Sequence, residues 1–389
     1  MRIVSAAFSG FRNLENSELD FSPRVNLVLG RNGMGKTNLF EALNYFALGR
    51  SHMGGKTEEM IRFDLNDLHV RLLVEEESGQ QITCEFGLDR QGGRRFRIDG
   101  ELVTRRADLV GRLATVVFNP ESIQLVQGGP QVRRRFVDQG QAEIDPLYLA
   151  GLTAFNRTLK QKNGLLKDLR RGLVPRAIAL EELRAWNREL ATHAAVICLG
   201  RDQYARQITP HAQASHRVLT DSDKPFSIVY APSLECAPKN IENRASKEDF
   251  SADISAELDY IIQDEIRRGR PLVGPQLDDF EVRLAGLDLR VFGSQGETRT
   301  AAVSIILARG EALFEKRRIR PVLFFDDIFS ELDRQRTRRL QEMASQLHQV
   351  YIASARLDDV EGWRPADRKA WRVKEGRFTA FTPETEPNL

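Results

Sequence analysis

Gly30-Arg31-Asn32-Gly33-Met34-Gly35-Lys36-Thr37 carries the most specific chemistry in the chain. It fits G-x-x-x-x-G-K-[ST], a turn in which glycines let backbone N–H groups point inward at phosphate oxygens without side-chain clash. A helix starting near Lys36 adds the partial positive charge of its N-terminus. In such a loop Lys36 neutralises the β and γ phosphates and the Thr37 hydroxyl ligates Mg²⁺, so the expected cofactors are ATP and Mg²⁺. A chance glycine-rich turn is the competing reading, and the position between a buried strand and a helix weighs against it.

A phosphate loop also needs a carboxylate on its metal side. The apolar run Pro321–Phe325 ends in Asp326-Asp327. Asp326 is placed to hold Mg²⁺ through water, and Asp327 to orient or deprotonate an attacking water. Adjacent carboxylates at a strand end can simply cap the next turn, but beside a phosphate loop the catalytic reading prevails. Aspartate at the base position, in place of the longer glutamate, predicts slow turnover.

A third element is Phe292-Gly293-Ser294-Gln295-Gly296-Glu297. Ser294 and Glu297 form an S-x-x-E capping box for a helix over Thr298–Ala308. The same helix start, flanked by glycines, is equally a second anion site. Arginines also cluster, at Arg94, Arg95 and Arg97, at Arg133–Arg135, and at Arg267, Arg268 and Arg270. Arg133 and Arg134 leave contact with nucleic-acid phosphate open. Pairing with local carboxylates is an equal alternative for them.

The elements that position these groups follow from hydrophobic patterning. Ile3–Phe11 reads as a strand, and Val25–Leu29 is a continuous apolar run of the kind found in buried parallel strands. A helix over Lys36–Leu48 is predicted to stop at Gly49. Residues 68–100 alternate in antiparallel fashion with turns at Ser78-Gly79, Gly-Gly and Asp-Gly, and Ala114–Phe118 is a further short strand. From about Asp145 to Gln213 apolar residues recur every three or four positions, which is helical. Polar sequence at 220–253 precedes another helix through Leu258–Arg268. After Arg270, FEVRLAGLDLRVF alternates as strand, Asp333 can N-cap a helix presenting Leu340, Met343 and Leu347, and Val350–Ala353 is a last buried strand. The expected fold class is α/β with mixed sheets, divided as residues 1–140, a helical insertion at 141–268, and residues 269–389.

The 389 residues allow one large or two ordinary domains, with 41% hydrophobic and 29% charged residues. Apolar runs are too short for a membrane span, so no membrane partner is expected. The N-terminus lacks the pattern of a secretory signal. Cys84, Cys198 and Cys236 have no CxxC spacing, which fits a reducing, cytoplasmic setting. The net charge of +2 does not by itself point to nucleic acid.

Together the phosphate loop, the Ser294-Gln295-Gly296 helix start and the D-D…S-E-L-D segment resemble an ABC-type ATPase head. More narrowly, Pro120–Pro130 continuing through Arg133–Asp138 resembles the RecF family of bacterial DNA replication and repair ATPases. FRN at Phe11–Asn13, GRSH at Gly49–His52, RPLVGP at Arg270–Pro275 and PVLFFDDIFSELD at Pro321–Asp333 are similar too, in the same order along nearly the whole chain.

That resemblance implies an ABC-type head with an inserted helical lobe, and a slow, DNA-stimulated ATPase. It implies an ATP-dependent homodimer that clamps double-stranded or gapped DNA, and partnership with RecO and RecR in recombinase loading and the SOS response. Carried onto this sequence, Arg12 and Asn13 would approach the nucleotide near its base or sugar. Ser294, Gln295 and Gly296 would complete the partner copy's site, and Ser330 and Asp333 would form the loop crossing between copies.

Some positions depart from the family pattern. Arg31 stands where an acidic residue is usual, Ser122 replaces an acidic or amide residue, and Gln276-Leu277 replaces His-Arg. Ala355-Arg356 takes the place of the switch histidine of transporter ATPases, leaving Ser354 as the candidate γ-phosphate sensor. Three other readings follow from the same residues. One is a nucleotide-gated DNA-binding module with negligible hydrolysis. A transporter ATPase is disfavoured by the long stretch between phosphate loop and helix start. A nuclease is disfavoured because no second acidic and histidine cluster marks a metal site.

Overall fold

The computed structural model describes residues 1–49, 51, 57–104, 108–109, 112–237, 247–347, 349–356 and 368–382, with backbone alone at 48, 57, 330, 331 and 345–347. Its internal contacts divide it into two units. The first comprises Met1–Ile123, Ala214–Asp223 and Gln295–Leu389, and the second Gln124–Gln213 and Lys224–Ser294.

Two six-stranded sheets build the first unit. In one, the strands run in the order Arg377–Ala380, Arg368–Lys374, Val25–Leu29, Val350–Ser354, Val322–Asp326, Thr115–Phe118. All of its neighbours are parallel except the edge hairpin. Val25–Leu29, Val322–Asp326 and Val350–Ser354 are buried at every position, because a parallel sheet is covered on both faces. The other sheet is antiparallel, from Ser17–Asp20 through Arg2–Ser9, Asp67–Glu75, Gln81–Asp89 and Arg94–Ile98 to Glu101–Val103. Its strands alternate buried and exposed, so only one face is covered.

The helix Lys36–Leu48 lies between the two sheets and is apolar on more than one side as a result. Phe40 meets Phe324 and Tyr351 of the parallel sheet, while Tyr45 and Phe46 meet Phe86 and Phe96 of the antiparallel one. This packing fixes the start of the helix, and hence the phosphate loop, at the C-terminal end of Val25–Leu29.

The second unit holds the helices Pro130–Ile144, Pro146–Arg170, Lys247–Tyr260 and Ile262–Arg268, with most of the 45-residue helix Arg176–Thr220. It also holds a three-stranded antiparallel sheet, Leu287–Asp288, Asp279–Leu284 and Phe226–Ala231. Asp145 caps Pro146–Arg170 by accepting from the Leu147 N–H at 2.9 Å.

Three local expectations change. Residues 289–292 form a helical turn rather than strand, because the Asp288 carboxylate accepts from the Arg290 N–H at 2.8 Å and starts one. Polar sequence at 220–253 contains the strand Phe226–Ala231. The helix placed over Thr298–Ala308 runs from Gln295 to Arg317. Contacts divide the chain at 123/124, 213/214, 223/224 and 294/295. Arg133 pairs with Asp279, and Arg201 with Asp138 and Asp278, so Pro130–Ile144 and Asp279–Leu284 go with the helical unit. No described helix is long and apolar enough to cross a membrane.

Candidate nucleotide site

Gly30 is buried at the end of Val25–Leu29, and its N–H donates to the Ser354 carbonyl at 3.2 Å. The turn that follows depends on Gly35, whose φ of 115° is left-handed territory at the N-cap of Lys36–Leu48. Gly35 brings no side chain to the first N–H groups of that helix, which leaves them for an anion. Lys36 is only 4% exposed, and its ammonium donates to the carbonyls of Gly30 at 2.8 Å and Arg31 at 3.4 Å and to Asn32 Oδ1 at 3.4 Å. Burial pulls it below the usual lysine range, opposed by the charges of Asp327 and Asp326. A buried cation held by neutral acceptors at the start of a helix fits a polyphosphate.

Asp326 closes the strand beside the loop at 5% exposure. Burial raises its carboxyl to about 6, with the neighbouring Asp327 adding to the rise and a Thr37 hydrogen bond and Lys36 opposing it. A hydroxyl and a carboxylate side by side suit a hard divalent cation such as Mg²⁺. Asp327 follows with left-handed backbone, φ 57°, its N–H donating to the Ala353 carbonyl at 3.0 Å. Lys36, Thr37, Asp326 and Asp327 are thus brought together as the sequence predicted.

The raised Asp326 has a measurable cost. Its folded pKa lies above its unfolded one, so the folded state holds the proton between about pH 4 and 6 and stability falls as pH rises through that window. Without nucleotide, Asp326→Asn is therefore expected to be more stable than wild type at pH 7.5, by about 1–3 kcal/mol. Denaturant titrations should show the two proteins converging towards pH 4. A constant difference across that range would refute the assignment.

Arg12 and Asn13 lie on the next loop. Arg12 forms a fork on the fully buried Glu41, through a short bond from Nε and a 3.0 Å bond from Nη2, and also donates to the Glu59 carbonyl at 3.2 Å. Asn13 is exposed and accepts from Asn38 Nδ2 at 2.7 Å. Glu41 belongs to the site's support but carries no motif of its own. Arg31 is exposed. Ser354 is fully buried at the end of the strand beside Val25–Leu29, with its Oγ accepting from the Arg356 N–H at 3.1 Å.

Ser294 and Gln295 are exposed at the start of Gln295–Arg317. A Cβ on Gly296 would lie 3.2 Å from Arg336 Nη1, and Arg336 pairs with Asp333 at 3.4 Å. Gly296 and the Asp333 helix start therefore form one neighbourhood. Asp333 caps Arg334–Leu347 as expected, accepting from the Arg336 N–H at 2.9 Å. Ser330 lies in the turn Ile328–Glu331, and its side chain is outside the described residues, as are Arg50 and His52 of the GRSH segment.

The candidate DNA contacts Arg133 and Arg134 take the intramolecular alternative to different degrees. Arg133 is 4% exposed, forked on Asp279 at 2.7 and 3.0 Å and donating to the Gly128 carbonyl at 2.6 Å. Arg134 donates to the Asp278 carbonyl. Both arginines serve intramolecular pairing, and Arg133 has no free face for a DNA phosphate. Gln276 likewise turns inward, its amide donating to the Val273 carbonyl at 2.7 Å.

Residues 2–368 match the family described as RecF/RecN/SMC N terminal domain. A DNA replication and repair protein RecF from Staphylococcus epidermidis is 31% identical over 378 residues, spanning 97% of this chain and 100% of that one. The protein of the same description from Streptococcus pneumoniae is 32% identical over 367 residues, spanning 94% and 96%. Among solved structures, one of the recombination mediator protein RecF-ATPrS in the RecFOR pathway is similar with a TM-score of 0.88 at 28% identity, covering 98% of both chains. An Smc head bound to the C-winged helix domain of ScpA shares the fold, with a TM-score of 0.56 at 14% identity and full coverage of both chains. The α/β architecture is that of ABC-type ATPase heads.

Proposed function

This chain belongs to the RecF family, and we propose that it is an ATP-dependent DNA-binding protein of replication and recombinational repair. Two copies joined by ATP clamp double-stranded DNA near gaps, and slow, DNA-stimulated hydrolysis releases it. Relatives described as DNA replication and repair proteins, and RecF structures described with ATP and within the RecFOR pathway, support the reading. By the same route RecO and RecR are its proposed partners and the cytoplasm its place. The first unit is then the ATPase head and the second its inserted lobe.

The observation that carries the proposal is the Lys36, Thr37, Asp326 and Asp327 cluster under the left-handed Gly35 turn. Mg²⁺ would supply charge neutralisation between the terminal phosphates. Lys36 exchanges its carbonyl acceptors for β and γ oxygens, while Thr37 and Asp326 would hold the metal. Asp327 orients the attacking water and takes its proton. Ser294, Gln295 and Gly296 of a second copy present their helix start to the same triphosphate, and Ser330 and Asp333 cross between copies. The triphosphate favours pairing because these contacts exist only in the paired state.

Sedimentation with ADP, ATP and ATP plus duplex DNA tests this. Dimers with ATP alone among the nucleotides, and DNA bound only by those dimers with an affinity that falls steeply with salt, are expected. Lone protomers under all conditions would overturn it. The short side chain of Asp327, held on left-handed backbone, favours a second reading in which hydrolysis is negligible and nucleotide only gates DNA binding. ATP-dependent dimers without phosphate release in a single turnover would select that reading.

A further inference from the structure

The hairpin formed by Arg368–Lys374 and Arg377–Ala380 has no motif and no role so far, yet its turn sits on the phosphate loop. The Gly376 N–H donates to the Met34 carbonyl at 2.9 Å, and the Gly376 carbonyl accepts from the Glu15 N–H at 3.0 Å. The Glu375 N–H points at Met34 Sδ, 3.5 Å away. One residue thus bridges the phosphate loop and the segment carrying Arg12 and Asn13. The approach is close: a Cβ on Gly376 would lie 1.8 Å from the Asn13 carbonyl oxygen, and one on Gly30 would lie 2.5 Å from the Val373 carbonyl oxygen. Gly376 also has φ 81°, so glycine is needed there on two counts.

We propose that Gly376 is a positioning residue for nucleotide binding, and that its turn sets the conformation of residues 33–35 and of the Asn13 loop before the nucleotide arrives. The inference rests on the phosphate-binding reading of that loop. A loop held ready binds with less ordering cost than one that must be gathered around its ligand. Gly376 touches the loop on the side of Met34 and Asn13, whereas Asp326 ends a different strand and Asp327 follows it. Displacing the turn therefore affects capture of ATP more than the hydrolytic step.

The test is Gly376→Ala, with Gly79→Ala and Gly92→Ala as controls. Both control glycines have left-handed backbone, at φ 84° and 87°, with no atom within 4 Å of an added Cβ. They therefore introduce the backbone strain without the collision. ATP affinity by fluorescent-nucleotide titration, steady-state kinetics and melting are measured for each. Gly376→Ala is expected to weaken ATP binding and raise KM at least tenfold with kcat kept within about twofold, while both controls keep the wild-type KM. A purely structural role would lower the active fraction, and so kcat, with KM unchanged; that result overturns the inference.

If Gly376→Ala does not fold, Glu375→Gly carries the test. It adds no atoms, and although glycine suits the left-handed backbone of Glu375 (φ 52°) it widens the conformational freedom of the turn, so a three- to tenfold rise in KM at unchanged melting temperature is expected, and an unchanged KM overturns the inference. Wild-type protein that binds no ATP would instead overturn the phosphate-loop reading itself, and this inference with it.

Discussion

Lys36→Ala is expected to lose ATP turnover by at least about a hundredfold, and with it ATP-driven dimerisation. Lys36 is a cation in a nearly closed site, where a charge acts through little water and its electrostatic effect is large. Its ammonium is occupied by the Gly30 and Arg31 carbonyls and Asn32 Oδ1, acceptors that phosphate oxygens can replace without breaking an ion pair. Alanine removes that cation from beside Asp326 and Asp327, leaving two carboxylates to repel an incoming triphosphate. The core around Leu39, Phe40 and Leu43 is untouched, so the variant should fold. Turnover assays and sedimentation with ATP decide the matter. A variant that dimerises with ATP as wild type does would remove Lys36 from the site.

The largest loss of stability is expected from Arg201→Ala. Arg201 is 3% exposed in the second unit, forked on Asp138 at 2.8 and 2.9 Å and bonded to Asp278 at 2.9 Å and to the Pro275 carbonyl. Asp278 is fully buried and also accepts from the Tyr230 hydroxyl and, at 2.8 Å, from the Ser233 N–H. Removing the arginine strands a buried carboxylate, and such breaks cost about 3–5 kcal/mol. Arg206→Ala on the same helix removes a partly exposed pair with Asp202 and should cost about 1 kcal/mol or less. Denaturant unfolding should show an early transition confined to the second unit for Arg201→Ala. Equal midpoints for the two variants would contradict this account of the network.

What could be seen in the sequence was what lies close along the chain. The phosphate loop, the apolar strands that end in Gly30 and Asp326, and the Asp333 cap are each encoded within a dozen residues, and the structure forms all of them. Partnerships across the chain were not visible. Nothing near Arg12 points to Glu41, and nothing near Asp138 points to Arg201. The fates of Arg133–Arg135 were hidden for a related reason. Successive residues on a helix point about 100° apart, so three neighbouring arginines become one buried, one half-buried and one exposed side chain. The hairpin over 368–380 went unread because charges interrupt its alternation, as is common for strands at a sheet edge.

Val25–Leu29 is held on one side by Val350–Ser354 and on the other by Arg368–Lys374, so the middle of the sheet waits for segments made long after it. Pairing over such separations is slow, because loop closure comes before the contacts that reward it. A growing polypeptide that already contains the glycine turn and its helix still lacks both flanking strands and the bridge at Gly376. During synthesis the turn therefore has no fixed shape to offer a phosphate group.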